Sequence, residues 1–251
     1  VSKIPLSVAI ITLDAAGQLG ACLDSVAFAD DLLVVDSGSR DDTVAIAERH
    51  GARVVNAAWR GFGPQKQLAV DHAKHDWVLC LDADEQVTPE LAQNIAGAVA
   101  APAAQAYRVA RCNRFLGRWL RHGEGYPDWN LRLFNRRHAR WSADAVHERV
   151  LHDGHTATLG GDLLHDSAES LDLYLSKQNR YTSLQASRLH AEGCRAGGLR
   201  LVLSPALRFI KFYLLRLGFL DGIPGLLHIS IGCMNSYIKY AKLIELQDTR
   251  R

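Results

Sequence analysis

The stretch "WVLCLDADEQV" (residues 77–87) decides how this chain is read. Five nearly pure apolar positions run straight into Asp82, Asp84 and Glu85. Carboxylates this close repel one another and raise each other's pKa. Such a cluster persists where a cation neutralises it or where solvent reaches it. The apolar run predicts a buried strand, and the carboxylates then sit at its carboxyl end.

The pattern repeats on either side. "LSVAIITL" (6–13) is a continuous β-branched run and predicts a buried strand. "DLLVVDSGSRDDT" (31–43) is a second strand that ends in Asp36 and a Ser/Gly/Asp turn. "ARVVNA" is a third. Between them "GQLGACLDSVA", "TVAIAERHG" and "PQKQLAVDHAKHD" have helical spacing, and Thr88-Pro89 caps a further helix, "TPELAQNIAGAVA". Strands alternating with helices predict a parallel, doubly wound α/β sheet. Ligands of such sheets bind at the carboxyl ends of the strands. Thr12–Asp14, Asp36–Ser39 and Asp82–Glu85 all fall there.

After about residue 100 the pattern changes. "AYRVAR", "NLRLFNR", "HERVLHD" and "ATLGGDLLH" are short strand candidates without intervening helices, and "FLGRWLRHGEGYPDW" between them has the composition of a loop. From Glu169 the spacing is helical to the end, with Ser204-Pro205 expected to open a new helix.

The 251 residues carry a net charge of +2, which gives no reason to expect a nucleic-acid partner. The charge is uneven: from Cys194 onward nine Lys and Arg face three Asp and Glu, which suggests a local anionic partner. Five scattered cysteines without a CxxC pair point to reduced intracellular thiols. The N-terminal apolar run is too short for a secretory signal, and no apolar run is clean enough for a membrane span.

"VVDSGSRDDT", "QKQLAV…WVLCLDADE" and "AVHERV" together resemble the inverting family 2 glycosyltransferases with the GT-A fold. "LLHDSAESLDLYLSKQNRY" and "FLDGIPGLLH" look like bacterial enzymes of lipopolysaccharide inner-core assembly, the β-1,4-glucosyltransferase-like group. The chain departs from the family at "LDAA" (13–16), where an Asn-Glu pair is common, and at Gln67, where Asn is frequent. The resemblance implies a Rossmann-like nucleotide-binding sheet (1–100) fused to an acceptor-side mixed sheet (101–168). Residues 169–251 are expected to form a helical, membrane-associating extension.

It also implies roles. Asp82 and Asp84 form a DxD element whose carboxylates, with His165, hold a divalent Mn or Mg ion against the diphosphate of a UDP-sugar donor. Asp82 acts through water or the ribose, and Glu85 stands behind the pair. Thr12, Asp14 and Asp36 border the uracil and ribose, and Lys66 is directed at the diphosphate. Arg132 is a second contact for diphosphate or acceptor. Glu148, in the position of the xED motif, is the general base that an inverting transfer needs, with Asp144 in reserve. His147 orients the base or meets an acceptor phosphate, and Trp129 and Tyr126 stack on sugar faces. Simpler roles stand beside these: Asp36 as a turn cap, Lys66 as a solvated helix charge, Glu148 paired with Arg149.

The expected acceptor is a heptose or similar sugar of a lipid-anchored core, reached by an enzyme peripheral on the cytoplasmic face of the bacterial inner membrane. A polyprenyl-phosphate or other glycan acceptor, and a non-catalytic saccharide- or nucleotide-binding module on the membrane surface, are the alternatives. A haloacid-type phosphatase is excluded because its DxD follows the first strand. On a helix starting at Ser204, Arg208, Lys211 and Arg216 share one arc opposite a broad apolar face. Each basic residue near an anionic leaflet contributes about 1 kcal/mol and buried apolar side chains add to this, so residues 199–243 are expected to attach to it without spanning; packing onto the catalytic domain is the alternative.

Overall fold

The structure, a computed structural model, describes residues 3–144, 148–167 and 170–248. It divides into two compact units, residues 1–111 with 128–166 and residues 112–127 with 167–251. Residues 112–127, expected on the acceptor side, group by their contacts with the second unit.

In the first unit, four strands run parallel: β1 (Ile4–Thr12), β2 (Ala29–Asp36), β3 (Arg53–Asn56) and β4 (Trp77–Asp82). They alternate with α1 (Leu19–Ser25), α2 (Thr43–Arg49) and α3 (Phe62–Asp71). Strand order is β3-β2-β1-β4. Central strands buried on both faces read as unbroken apolar runs, which is why β1 and β4 were visible in the sequence. Alternate residues of β1 serve opposite faces. Val8 and Ile10 pack with Leu19 and Leu23 of α1, whereas Ala9 packs with Val70 of α3.

Beyond Asp82 the chain turns and forms a short strand, β5 (Glu85–Val87), so the expected single strand "WVLCLDADE" is two. Thr88 then caps α4 (Pro89–Ala100), its hydroxyl accepting from the Leu91 amide at 3.4 Å. The sheet continues antiparallel. β6 (Ala106–Phe115) leads through a two-residue strand, β7 (Arg118–Trp119), to β8 (Asp128–Asn135), which pairs with both β4 and β6. A separate ribbon joins β9 (Ala139–Trp141) to β10 (Val150–His152), and β11 (Thr156–His165) closes the unit against β5. The full order is β3-β2-β1-β4-β8-β6-β11-β5. The parallel half and the mixed second half are both as expected from the sequence.

The second unit contains α5 (Leu171–Ala191), α6 (Gly198–Phe209) and α7 (Gly222–Asp248). Ser170 caps α5 through the Leu173 amide. Ser204-Pro205 does not open a helix. Pro205 lies inside α6, and the Ser204 hydroxyl pairs with that of Ser236 at 2.7 Å instead of capping. A π-helical turn (Ile210–Leu215) and a 3-10 turn (Gly218–Asp221) then separate α6 from α7. The expected basic arc is also revised. Arg208 is partly buried and paired with Glu124, while Lys211 and Arg216 stay exposed. No single helix among the described residues is long and apolar enough to cross a membrane.

Candidate active site

Register brings the strand-end side chains together. Thr12 lies beside Asp36, and Ile11 beside Asp82. On the other side β11 sets His165 opposite Glu85, and the Asp166 amide donates to the Asp84 carbonyl at 3.1 Å. The result is a cavity of about 580 Å³ bordered by Thr12, Asp14, Gln18, Asp82, Asp84 and His165. Its apolar part includes Trp59 and Phe62, an edge-to-face pair with centroids 4.9 Å apart, 48% and 45% exposed. The sequence reading missed this pair. Two aromatics flanking Arg60-Gly61 just before a helix were the available signal.

Each expected nucleotide contact has a definite place. Asp36 is buried and is not part of the cavity's lining. It accepts from the Thr12 hydroxyl at 3.0 Å, from the amides of Gly38 and Ser39 and from the Ser39 hydroxyl. Burial opposes its ionisation, but these bonds, those from Ser39 foremost, outweigh it and hold the carboxyl below its ordinary pKa. It thus organises the turn on which the cavity rests. Asp14, in the left-handed region at φ 49°, accepts from the Arg40 amide at 2.8 Å, while its own amide donates to Ser39. That bracing is what "LDAA" supplies in this chain.

A second, polar cavity of about 420 Å³ is lined by Lys66, Asp82, Arg111, Trp129, Glu148 and Arg149 among others. Asp82 lines both cavities. Lys66, buried in α3, is not a solvated charge. Its Nζ donates to Asp82 Oδ1 at 3.0 Å and to Glu148 Oε1 at 2.9 Å, 4.9 Å from the Trp141 ring centroid. Arg132 is buried as well, bonding Asp82 Oδ2 at 2.7 Å and Glu85 Oε1 at 2.5 Å. Arg111 reaches Glu85 at 3.4 Å and Asp128 at 2.7 Å. Burial opposes ionisation of Asp82, yet the charges of Arg132 and Lys66 prevail and hold its carboxyl well below the usual range. Of the three clustered carboxylates, Asp82 and Glu85 are thus neutralised by protein cations.

Asp84 is the one that remains for an external cation. Its Oδ2 lies 3.2 Å from His165 Nε2, and both side chains line the first cavity. No set of three or more His, Cys, Asp or Glu able to hold a metal occurs among the described residues. One carboxylate and one imidazole nevertheless fit a cation such as Mn²⁺ that takes its remaining ligands from a substrate diphosphate. Asp82 fits less directly, since both its oxygens already accept from cations.

Glu148 lies in the second cavity with its Oε1 on Lys66; its Oε2 has no hydrogen-bond partner among the described residues. Asp144 lines neither cavity, and its carbonyl accepts from the Gly63 amide at 3.2 Å. That contact requires glycine: a Cβ on residue 63 would stand 2.2 Å from the Ser142 carbonyl oxygen and 2.6 Å from that of Asp144. The start of α3 and the loop leading to Glu148 are thereby held together. Gln67, also on α3, accepts from the Trp141 amide at 2.8 Å, at the end of β9. Trp129 is exposed on the cavity with the Arg108 guanidinium 5.0 Å over its ring, whereas Tyr126 belongs to the second unit. His147 lies outside the described residues.

A parallel half-sheet with acidic strand ends, continued by an antiparallel half beside an adjoining cavity, is the arrangement of the GT-A fold. The chain belongs to glycosyl transferase family 2, whose model matches residues 7–153. It is 28% identical to the lipopolysaccharide core biosynthesis glycosyltransferase LpsC of Rhizobium meliloti, over 98% of this chain and 94% of that protein. An uncharacterized glycosyltransferase of Rickettsia felis is 30% identical over 96% and 89% of the two chains. Among solved structures, S. aureus TarS 1-349 in complex with UDP-GlcNAc is similar with a TM-score of 0.50. At 14% identity over 94% of this chain and 81% of that one, the likeness is one of fold.

Proposed function

We propose that this glycosyltransferase moves glucose from UDP-glucose, with inversion, to a heptose or similar sugar of a lipid-anchored lipopolysaccharide core. The observation that carries the reading is that Asp82 lines both cavities. A donor in the first and an acceptor in the second would meet at that residue. The similarity to LpsC over nearly the whole chain supports the acceptor class.

The roles follow from placement. Trp59 and Phe62 give the donor base an apolar wall, and Thr12 and Asp14 border it. Asp84 and His165 would hold a divalent cation on the diphosphate, which as a Lewis acid stabilises the charge of the departing UDP. Glu148 Oε2 takes the proton of the acceptor hydroxyl as its oxygen attacks the anomeric carbon. Lys66 fixes Glu148 from the other side and ties it to Asp82. Trp129 offers a sugar-stacking face, and Arg132, which lines the second cavity, borders the acceptor while pairing with Asp82 and Glu85. The enzyme works peripherally at the cytoplasmic face of the inner membrane, attached through residues 199–243.

Deleting the protein from its cell and weighing the lipopolysaccharide core tests the acceptor. The core is expected to lose one hexose together with everything built on it. An unchanged core mass would overturn the reading and turn attention to polyprenyl-phosphate or other glycan acceptors.

A further inference from the structure

More than half of the large apolar side chains that stand exposed among the described residues fall between Leu199 and Leu227. They concentrate where α6 and α7 meet at a bend of 74°. Leu215 and Ile223, on either side of the bend, are 75% and 73% exposed, and Leu217, Phe219 and Leu220 lie between them. A contiguous apolar surface of this kind marks a binding face.

The charges on this face have one sign. Arg200, Lys211 and Arg216 are exposed among the apolar residues. Between Gly193 and Ile244 the only carboxylate is Asp221. It is buried, accepting from the amides of Arg121 and His122 and facing the His122 ring at 3.0 Å.

The backbone of the bend points to the kind of partner. Irregular backbone enters hydrocarbon only when its polar groups are satisfied within the protein. Here the Arg216 amide bonds the Lys211 carbonyl, the Leu217 amide that of Leu214, and the Leu220 amide that of Leu217. The Arg216 carbonyl accepts from the Gly123 amide, and the Leu220 carbonyl from Arg118. Leu217 stands in the left-handed region at φ 56°, a conformation glycine adopts more readily, yet this position carries an exposed leucine. The bend thus presents apolar side chains outward and keeps these polar groups paired.

We infer that the α6–α7 bend is a monotopic insertion element. Its apolar tip sinks into the acyl region of one leaflet of an anionic bilayer, with Arg200, Lys211 and Arg216 reaching lipid phosphates. This rests on the membrane location proposed above and narrows the attachment to the tip of the bend, with apolar insertion as its main contribution. Surface attachment through a basic helix face would be electrostatic, and tip insertion is hydrophobic.

Flotation with phosphatidylglycerol/phosphatidylethanolamine vesicles separates the two. At about 1 M salt, where charges are screened beyond ~3 Å, the intact chain is expected to stay bound. A Leu215→Trp variant is expected to gain emission that lipids brominated in their acyl chains quench. Leu215→Glu with Ile223→Glu is expected to lower the bound fraction roughly 10-fold or more, with UDP release from a soluble donor unchanged. Binding at low salt only, with the new tryptophan unquenched, would overturn insertion and leave surface attachment standing. Failure to float at any salt would remove both. A stable dimer in sedimentation, with no flotation, would make a second copy the occupant of this face and end the proposal.

Discussion

Glu148→Gln is expected to lower kcat on the order of 10²- to 10⁴-fold and to leave UDP affinity within about twofold. The glutamine keeps the side chain's size and its bond to Lys66 but cannot take the acceptor proton. Glu148 lines the second cavity and not the first, so donor binding is expected to depend little on its charge. Asp144→Asn is expected to keep near-normal turnover, since that residue serves through its backbone carbonyl. The measurement is steady-state UDP release with a saturating donor, beside UDP titration of each variant. Normal turnover in Glu148→Gln with loss in Asp144→Asn would exchange the two roles.

Arg132→Met is expected to cost about 3–5 kcal/mol of stability, enough to unfold a marginal domain. Glu85 is fully buried and Asp82 half-buried, and Arg132 is the cation they share. Removing it leaves Asp82 to Lys66 and Glu85 to the longer contact from Arg111. Chemical denaturation reads the effect, and Arg132→Lys should recover part of it. The same network sets an acid limit. The carboxyl of Asp82 is depressed in the folded chain, as is that of Asp36, so each contributes its full stabilisation above the unfolded carboxylate pKa of about 3.9. That contribution is lost as pH falls through the lower folded values. The melting temperature should therefore not fall on account of these groups between neutrality and about pH 5, and should drop below about pH 4. A fall in stability centred near about pH 6 would have another origin, since no depressed carboxyl titrates there. An Arg132→Met chain as stable as the parent would mean that the two carboxylates are neutralised some other way.

The first half of the fold was legible because central parallel strands must be apolar on both faces and each is punctuated by its helix. The acidic ends of β1, β2 and β4 follow from that alternation, so the order of residues alone groups Thr12, Asp14, Asp82 and Asp84 at one edge of the sheet. The second half was less legible. β5, β7 and β9 are two or three residues long, too short to display a period. Ser204-Pro205 carried a helix-start signal, but it is a local one. The helix begins at Gly198, and Ser204 spends its hydroxyl on Ser236. The ionic network was out of reach for a different reason. Lys66 meets Glu148 82 positions away and Arg132 meets Glu85 47 positions away, and no local pattern encodes such pairings. Sequence alone therefore did not pair Arg132 with Glu85 and left Lys66 open between diphosphate ligand and solvated charge.

The central claim is that the first cavity binds a UDP-sugar on Asp84 and His165 and that the chain turns it over. Titration of UDP into the intact chain and into Asp84→Ala, with Mn²⁺ and in chelator, tests it most directly. The parent is expected to bind more tightly with Mn²⁺, and Asp84→Ala to lose this gain while keeping the weaker, metal-independent affinity. Equal binding by parent and variant with Mn²⁺, or full UDP release by the parent in chelator, would contradict it.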